Sequence, residues 1–187
     1  MDEAVNLDAV LQGVEKDFKK VVQNFEKELA KVRTGRANLA LLEGIKVEYY
    51  GVPTPLNQVA ALAVPDARLI TIRPWEKKLI PAIEKAIVSA DVGLTPSNDG
   101  DIIRLPVPPL TTERRKELVK QIKKMCEEAK VALRNVRRDY KSKVDKAEGV
   151  SEDDQKRTLD RLDKLTDQYI KELEGLLAKK EKEIMEF

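Results

Sequence analysis

Proline divides this chain. All nine prolines, from Pro53 to Pro109, fall in the middle, and residues 1–52 and 110–187 contain none. Proline has no amide hydrogen to donate and its ring clashes with the preceding helical turn, so it collects in turns and strand ends and is costly inside helices. The chain therefore reads as two flanks free to run as long helices around a turn-rich centre. Composition agrees, with 36% charged and only 4% aromatic residues, a blend suited to long solvated helices.

The flanks carry helical periodicity. Leu7, Leu11, Val14, Phe18, Val21, Phe25, Leu29 and Val32 recur every three or four residues, one apolar stripe that ends at Gly35. After the centre, Thr111 or Thr112 can cap a helix whose stripe is Leu118, Ile122, Met125, Ala129, Leu133, Val136, Tyr140 and Val144, stopping before Gly149. Ser151 then caps a third helix. Glu152, Asp153 and Asp154 complement the dipole of its first turn, and Leu159, Leu162, Tyr169, Leu173 and Leu176 form its stripe. Three stripes need mutual partners, which predicts an antiparallel three-helix bundle made of residues 1–34 and 110–187.

Residues 35–109 are expected to be a smaller inserted β/α/β domain, giving an α+β fold overall. Ile45–Tyr50, Val59–Val64, Leu69–Ile72 and Ile102–Leu105 read as strands, and Gly51–Pro55 as a turn. A helix after Trp75 would take Pro81 in its first turn and bury Ile83, Ala86 and Ile87. The two crossings, near 33–37 and 105–110, form an expected hinge: Thr34 and Gly35 on the way in, and Pro106, Pro108 and Pro109 as a stiff strap on the way out.

Much chemistry is excluded. The chain has no histidine, hence no histidine-dependent triad, metal ligand or general base, and the single cysteine, Cys126, rules out an intrachain disulfide or a multi-cysteine zinc site. Cys126 at the edge of its stripe reads as a small buried hydrophobe, Glu152–Asp154 as capping acids, and Asn98–Asp101 as a turn resembling only a fragment of a calcium loop. There is no P-loop or dinucleotide glycine motif, and no spacing singles out a pair of carboxylates for acid–base work. Asp2, Glu3 and Asp8 interrupt the N-terminus, and no apolar run reaches 18 residues, so a soluble, cytoplasmic protein is expected.

Charge is the functional signal. Residues 110–148 hold thirteen basic and seven acidic side chains, a net +6 within a chain whose total is only +2. Lys116, Lys120, Lys123, Lys130, Arg134, Arg137, Arg138 and Lys141 fall on one side of the helical wheel, interrupted by Glu127 alone. A charged helix face is usually just solvated. Here, however, Lys130, Arg134 and Arg138 follow one another at i+4, as do Arg137 and Lys141, where acids would normally alternate; each like pair costs a few tenths of a kcal/mol. Arginine dominates the densest part and aromatics are few, which suits phosphate-backbone recognition of folded RNA more than base reading. The competing class is an interaction scaffold whose basic face holds an acidic protein; a small enzyme is a distant third.

Four segments, VRTGRA (Val32–Ala37), VEYYGVPTPL (Val47–Leu56), LTTERRKEL (Leu110–Leu118) and VALRNVRRD (Val131–Asp139), together with the ending KEKEIMEF, resemble ribosome recycling factors along essentially the whole chain. Glu76 stands where the family pattern has Asp, and Ala90, Val92 and Thr95 also depart from it. The resemblance implies an L-shaped, non-enzymatic, monomeric translation factor that binds the post-termination ribosome through large-subunit ribosomal RNA. With elongation factor G it would split the subunits; GTP is the partner's, and no cofactor or metal belongs to the chain itself. Arg134, Arg137 and Arg138 would be the main RNA contacts, with Arg33 and Arg36 secondary beside the hinge. Lys130 and Lys141 join them from the wheel. The insert would meet elongation factor G.

Overall fold

A computed structural model of the protein describes residues 5–186. Asp2, Glu3 and the final Phe187 lie outside them. The chain forms two compact units: one takes the chain up to Leu29 with Val119–Lys182, the other Ala30–Leu118 with the end from Glu183.

Three long helices account for the flanks: α1 (Leu7–Lys31), α4 (Thr112–Asp145) and α5 (Glu152–Glu186). The stripes meet as expected. Phe18 of α1 packs at a tilt on Tyr169 of α5, with ring centroids 5.3 Å apart, and Cys126 of α4 is buried beside the Leu173 carbonyl of α5. Leu11, Val14, Phe18, Val22, Phe25 and Leu29 are the buried residues of α1; Val22 occupies the place expected of Val21, which is half-buried. Both fit a step of three or four from their neighbours, and packing against α4 and α5 selects the rotation. Caps fix the helix starts. The Arg114 amide donates to Thr111 Oγ1 at 3.2 Å, so Thr111 caps α4, and the Asp154 amide donates to Ser151 Oγ at 3.1 Å at the head of α5.

Gly13 in mid-α1 has a packing reason: a Cβ there would stand 2.9 Å from the Tyr140 hydroxyl of α4. That hydroxyl donates to Asp17 Oδ2 at 2.7 Å. Burial, and then the bond to Asp17, push the Tyr140 pKa up to about 12. Native Tyr140 therefore keeps its proton where an unfolded tyrosine, with a pKa of about 10, releases it. Its contribution is fully present below pH 10 and is lost as pH rises through the folded value. Tyr140→Phe is expected to make the fall in melting temperature between pH 10 and 12 shallower than in the native chain, and thermal melts across that range check it.

The centre is all antiparallel. Strands β1 (Lys46–Tyr49) and β2 (Val52–Pro55) form a hairpin, and β3 (Ala60–Asp66), β4 (Leu69–Pro74), β5 (Ser97–Asn98) and β6 (Ile103–Pro106) form a sheet in the order β3-β4-β6-β5. A single turn, α2 (Leu56–Val59), joins hairpin to sheet, and α3 (Ile80–Ser89) follows β4 with Pro81 in its first turn. Alternation supplies the core: Ile70 and Ile72 of β4, Ile103 and Leu105 of β6, Ile83 and Ile87 of α3 and Val47 of β1 are fully buried in one cluster, with Ala86 partly buried against it. The expected turn at Gly51–Pro55 is corrected: it is strand β2. Pro53 and Pro55 pair with Glu48 and Lys46. Two residues apart, their missing donors both face the open edge, where no ladder bond is lost. The turn itself is Tyr50–Gly51, both at positive φ.

The crossings are tied down. The Ala37 amide donates to Ala67 O at 2.6 Å and the Val107 amide to Arg68 O at 2.8 Å, so entry and exit flank the same β3–β4 turn. Arg33 Nη2 donates to Pro108 O at 2.9 Å, joining the two directly. Gly35, at φ 78°, holds a backbone angle that only glycine adopts without strain.

Candidate nucleic-acid interface

The site is built on α4, and the structure sorts its cations by what α5 offers them. Three basic residues at heptad spacing, Lys123, Lys130 and Arg137, pair across to Glu181, Glu174 and Asp163 of α5, at 3.5, 3.0 and 2.6 Å. Lys130 also reaches Glu127 at 3.1 Å on its own helix, and its side chain is only 14% exposed. The hydrogen bonds that its ammonium donates to Glu174 and then Glu127 raise its pKa. The heptad seam of an antiparallel helix pair is where such rungs form, because positions seven apart return to the same edge of the apolar stripe. Lys130 is thus neutralised within the bundle, and so differs from its wheel neighbours.

Arg134, Arg138 and Lys141 have no such rung. All three are exposed, and none has an ion pair or hydrogen bond from its side chain among the described residues. The repulsion expected from sequence is therefore concentrated in these three, one to two turns apart on one surface strip. Among the described residues the exposed large hydrophobic of α4 is Val131, not an aromatic on which a base could stack. Chemically the strip presents two guanidinium forks and an ammonium with no carboxylate paired to them among the described residues, a surface for a phosphate backbone.

Arg33 and Arg36 sit in the other unit, at the entry crossing. Arg33 is half-buried, held to the exit strap through Pro108, with its Nε buried and unpartnered; Arg36 is exposed. Of the hinge residues, Thr34 and Gly35 are buried and Pro106, Pro108 and Pro109 exposed.

The other candidates resolve into structure. Cys126 is fully buried and burial pushes its thiol pKa up, the wrong direction for a nucleophile. Asp99 accepts the amides of Asp101 and Ile102 at 3.1 and 2.9 Å, and its carboxyl pKa is lowered by those bonds; Lys77 pairs with Asp101 and Arg104 with Asp99. Asn98–Asp101 is a turn closed by its own side chains. Among the described residues no group of three or more acids and cysteines is placed to hold a metal, and no helix is long and apolar enough to cross a membrane.

One cluster escaped sequence reading. Tyr49 Oη donates to Glu76 Oε1 at 2.8 Å, Lys78 Nζ pairs with Glu76 at 2.9 Å, donates to Tyr50 Oη at 2.5 Å and lies 4.3 Å over the Tyr50 ring. Bonds from Lys78 and then Tyr49 lower the Glu76 pKa. These contacts hold Tyr50 at φ 48°, a conformation that costs a bulky residue on the order of 1 kcal/mol or more. Tyr50 and Trp75 stand 71% and 65% exposed, an aromatic surface on the insert. The sequence carried no local signal for it, because Tyr-Gly is an unusual hairpin turn and the residues that hold it lie 26 and 28 positions away.

Comparison with known proteins follows the same lines. The family model for ribosome recycling factor matches residues 25–185. A ribosome-recycling factor of Oleidesulfovibrio alaskensis is 52% identical over 183 residues, covering 96% of this chain and all of that protein. One from Geobacillus kaustophilus is 51% identical over 180 residues, covering 95% and 97%. Among solved structures, a solution structure of a ribosome recycling factor is 46% identical with a TM-score of 0.80, covering 99% of this chain and all of the other. A second, described as models for the T. thermophilus ribosome recycling factor and the E. coli elongation factor G bound to the E. coli post-termination complex, is 43% identical with a TM-score of 0.66, covering 96% and 99%.

Proposed function

Because the chain belongs to the ribosome recycling factor family, a family of translation factors and not of enzymes, we propose that it recycles post-termination ribosomes in the cytoplasm by laying its helical bundle on large-subunit ribosomal RNA. The observation that carries the RNA contact is the strip of Arg134, Arg138 and Lys141, exposed and without an intramolecular counter-charge. Burying cations against phosphate is favourable where those cations have no partner to give up. Arg137 joins from the edge of the strip. Lys130, engaged by two carboxylates, adds stabilisation to the bundle more than affinity for RNA, and Arg33 and Arg36 are secondary contacts beside the crossing.

In this reading residues 35–109 are the domain that meets elongation factor G, with Thr34, Gly35, Pro106, Pro108 and Pro109 as the joint. The structure neighbour that carries both a recycling factor and elongation factor G on a post-termination complex supports the partnership. GTP is hydrolysed by the partner, and this chain supplies position and leverage as a monomer. No step requires a proton transfer or nucleophile from it, in keeping with a chain that has no histidine.

Light scattering of post-termination ribosomes is the test. Subunits are expected to separate only when this protein, elongation factor G and GTP are all present. Binding to isolated large subunits should weaken steeply as salt rises from about 50 to 200 mM. No splitting, together with tight binding to an acidic peptide in place of ribosomes, would reject the reading in favour of a scaffold for acidic protein.

A further inference from the structure

We infer that Asp163 is a positioning residue for the RNA contact: its carboxylate fixes the Arg137 guanidinium so that the terminal edge of the fork is presented, already oriented, to a phosphate. The inference rests on the reading above and deepens it, since nothing in the family comparison assigns a role to an acid on α5.

Arg137 Nε donates to Asp163 Oδ1 at 2.7 Å, and Nη2 lies 2.6 Å from the same oxygen. A guanidinium has five N–H donors in one plane. With the Nε side of the fork held by one carboxylate oxygen, the outer hydrogens of Nη1 and Nη2 remain, and they form the end-on edge that matches two phosphate oxygens. The Arg137 side chain is 38% exposed, enough for that edge to reach solvent. On the wheel Arg137 is the member of the basic face nearest the apolar stripe, so α5 can hold it. Arg134 and Arg138 have no such clamp. A phosphate that meets them must also freeze two long side chains, whereas the side chain of Arg137 is ordered before binding. The other two rungs cannot act alike, because a lysine ammonium is a point charge with no edge to orient.

The sign of one substitution separates this from simple electrostatics. Removing an acid from beside a polyanion site should tighten binding if Asp163 is only a counter-charge. If Asp163 positions Arg137, Asp163→Asn should weaken binding to isolated large subunits about three- to tenfold. It should also lower the salt slope by about one, the mark of a lost phosphate contact. Asp163→Glu should restore binding to within about twofold. In an Arg137→Ala background the loss from Asp163→Asn should vanish. Glu174→Gln, which leaves Lys130 to Glu127 alone, should bind as well as the native chain or better. Tighter binding by Asp163→Asn, an equal loss with and without Arg137, or an equal loss from Glu174→Gln would each overturn the inference. Melting temperatures measured in parallel show whether a loss follows unfolding, which would also overturn it. Failure of the RNA reading itself shows in a different arm: the native chain would not bind, or Arg134→Glu with Arg138→Glu would bind normally.

Discussion

Large-subunit binding is expected to fall about a hundredfold or more when Arg134 and Arg138 are both changed to Glu, while helicity and melting temperature hold. Both side chains are exposed and lack an intramolecular partner, so the substitution breaks no ion pair. It also turns the like-charge 138–141 neighbours into an opposite-charge pair, while the 134–138 pair stays like-charged, so the helix loses nothing. Two charges are reversed, a change of four units on the strip, and each phosphate contact becomes a repulsion. Arg137 is left out by design: a glutamate there would face Asp163 Oδ1, which Arg137 now holds at 2.7 Å, and would load the bundle with a like-charge pair. Arg134→Ala with Arg138→Ala should lie between, losing the contacts without the repulsion. A filter or fluorescence titration against large subunits, with circular dichroism on the same samples, measures all three proteins. Binding of the double Glu protein within threefold of native would remove the strip from the RNA interface.

That choice of residues shows what sequence alone could and could not supply. The basic face was legible because it is local: wheel position and i+4 spacing are properties of α4 by itself. Its counter-ions were not, since Glu181, Glu174 and Asp163 lie 58, 44 and 26 residues further along the chain and meet α4 only through the antiparallel register. A trace was present in the heptad spacing of 123, 130 and 137 opposite an acidic third helix. The three stripes were legible for the same local reason, to within one residue: Val22 instead of Val21 turns on how α1 rotates against its neighbours. In the insert, Ile83 and Ile87 were placed correctly on the buried side of α3, because a run with helical period and proline at its start has one reading. Val52–Pro55 was not, because prolines signal turns and only pairing with β1 reveals that both occupy positions where an edge strand needs no donor. Tyr50 at positive φ is the same kind of case, held by Glu76 and Lys78 from 26 and 28 residues away.

The second large effect comes from the insert. With residues 36–109 excised and the ends rejoined, the protein is expected to remain a cooperatively folding helical bundle, to bind large subunits within a few-fold of native, and to lose splitting with elongation factor G. The excision is feasible because the insert's core is its own: every buried member of that cluster, from Ala37 to Val107, lies inside the removed segment. The bundle's defining contacts, Phe18 on Tyr169, Tyr140 on Asp17 and Cys126 on Leu173, lie outside it. The cut ends are close, since the side chain of Arg33 reaches the Pro108 carbonyl, and a four-residue Gly/Ser linker spans about 11 Å. A short linker also limits the loop entropy that α1 and α4 must overcome to pair. Arg134, Arg138 and Lys141 stay in place, so affinity for RNA falls only by what the secondary contacts, Arg36 and the Pro108-anchored Arg33, contribute. What disappears is the domain proposed above to meet elongation factor G, with exposed Tyr50 and Trp75 on it. Two results would count against this division of labour, and in different ways. Splitting at the native rate would mean that the bundle alone separates subunits, so the insert is not the factor-facing part. A folded bundle that no longer binds would mean that the insert also anchors the protein, and that the strip on α4 is only part of the RNA contact.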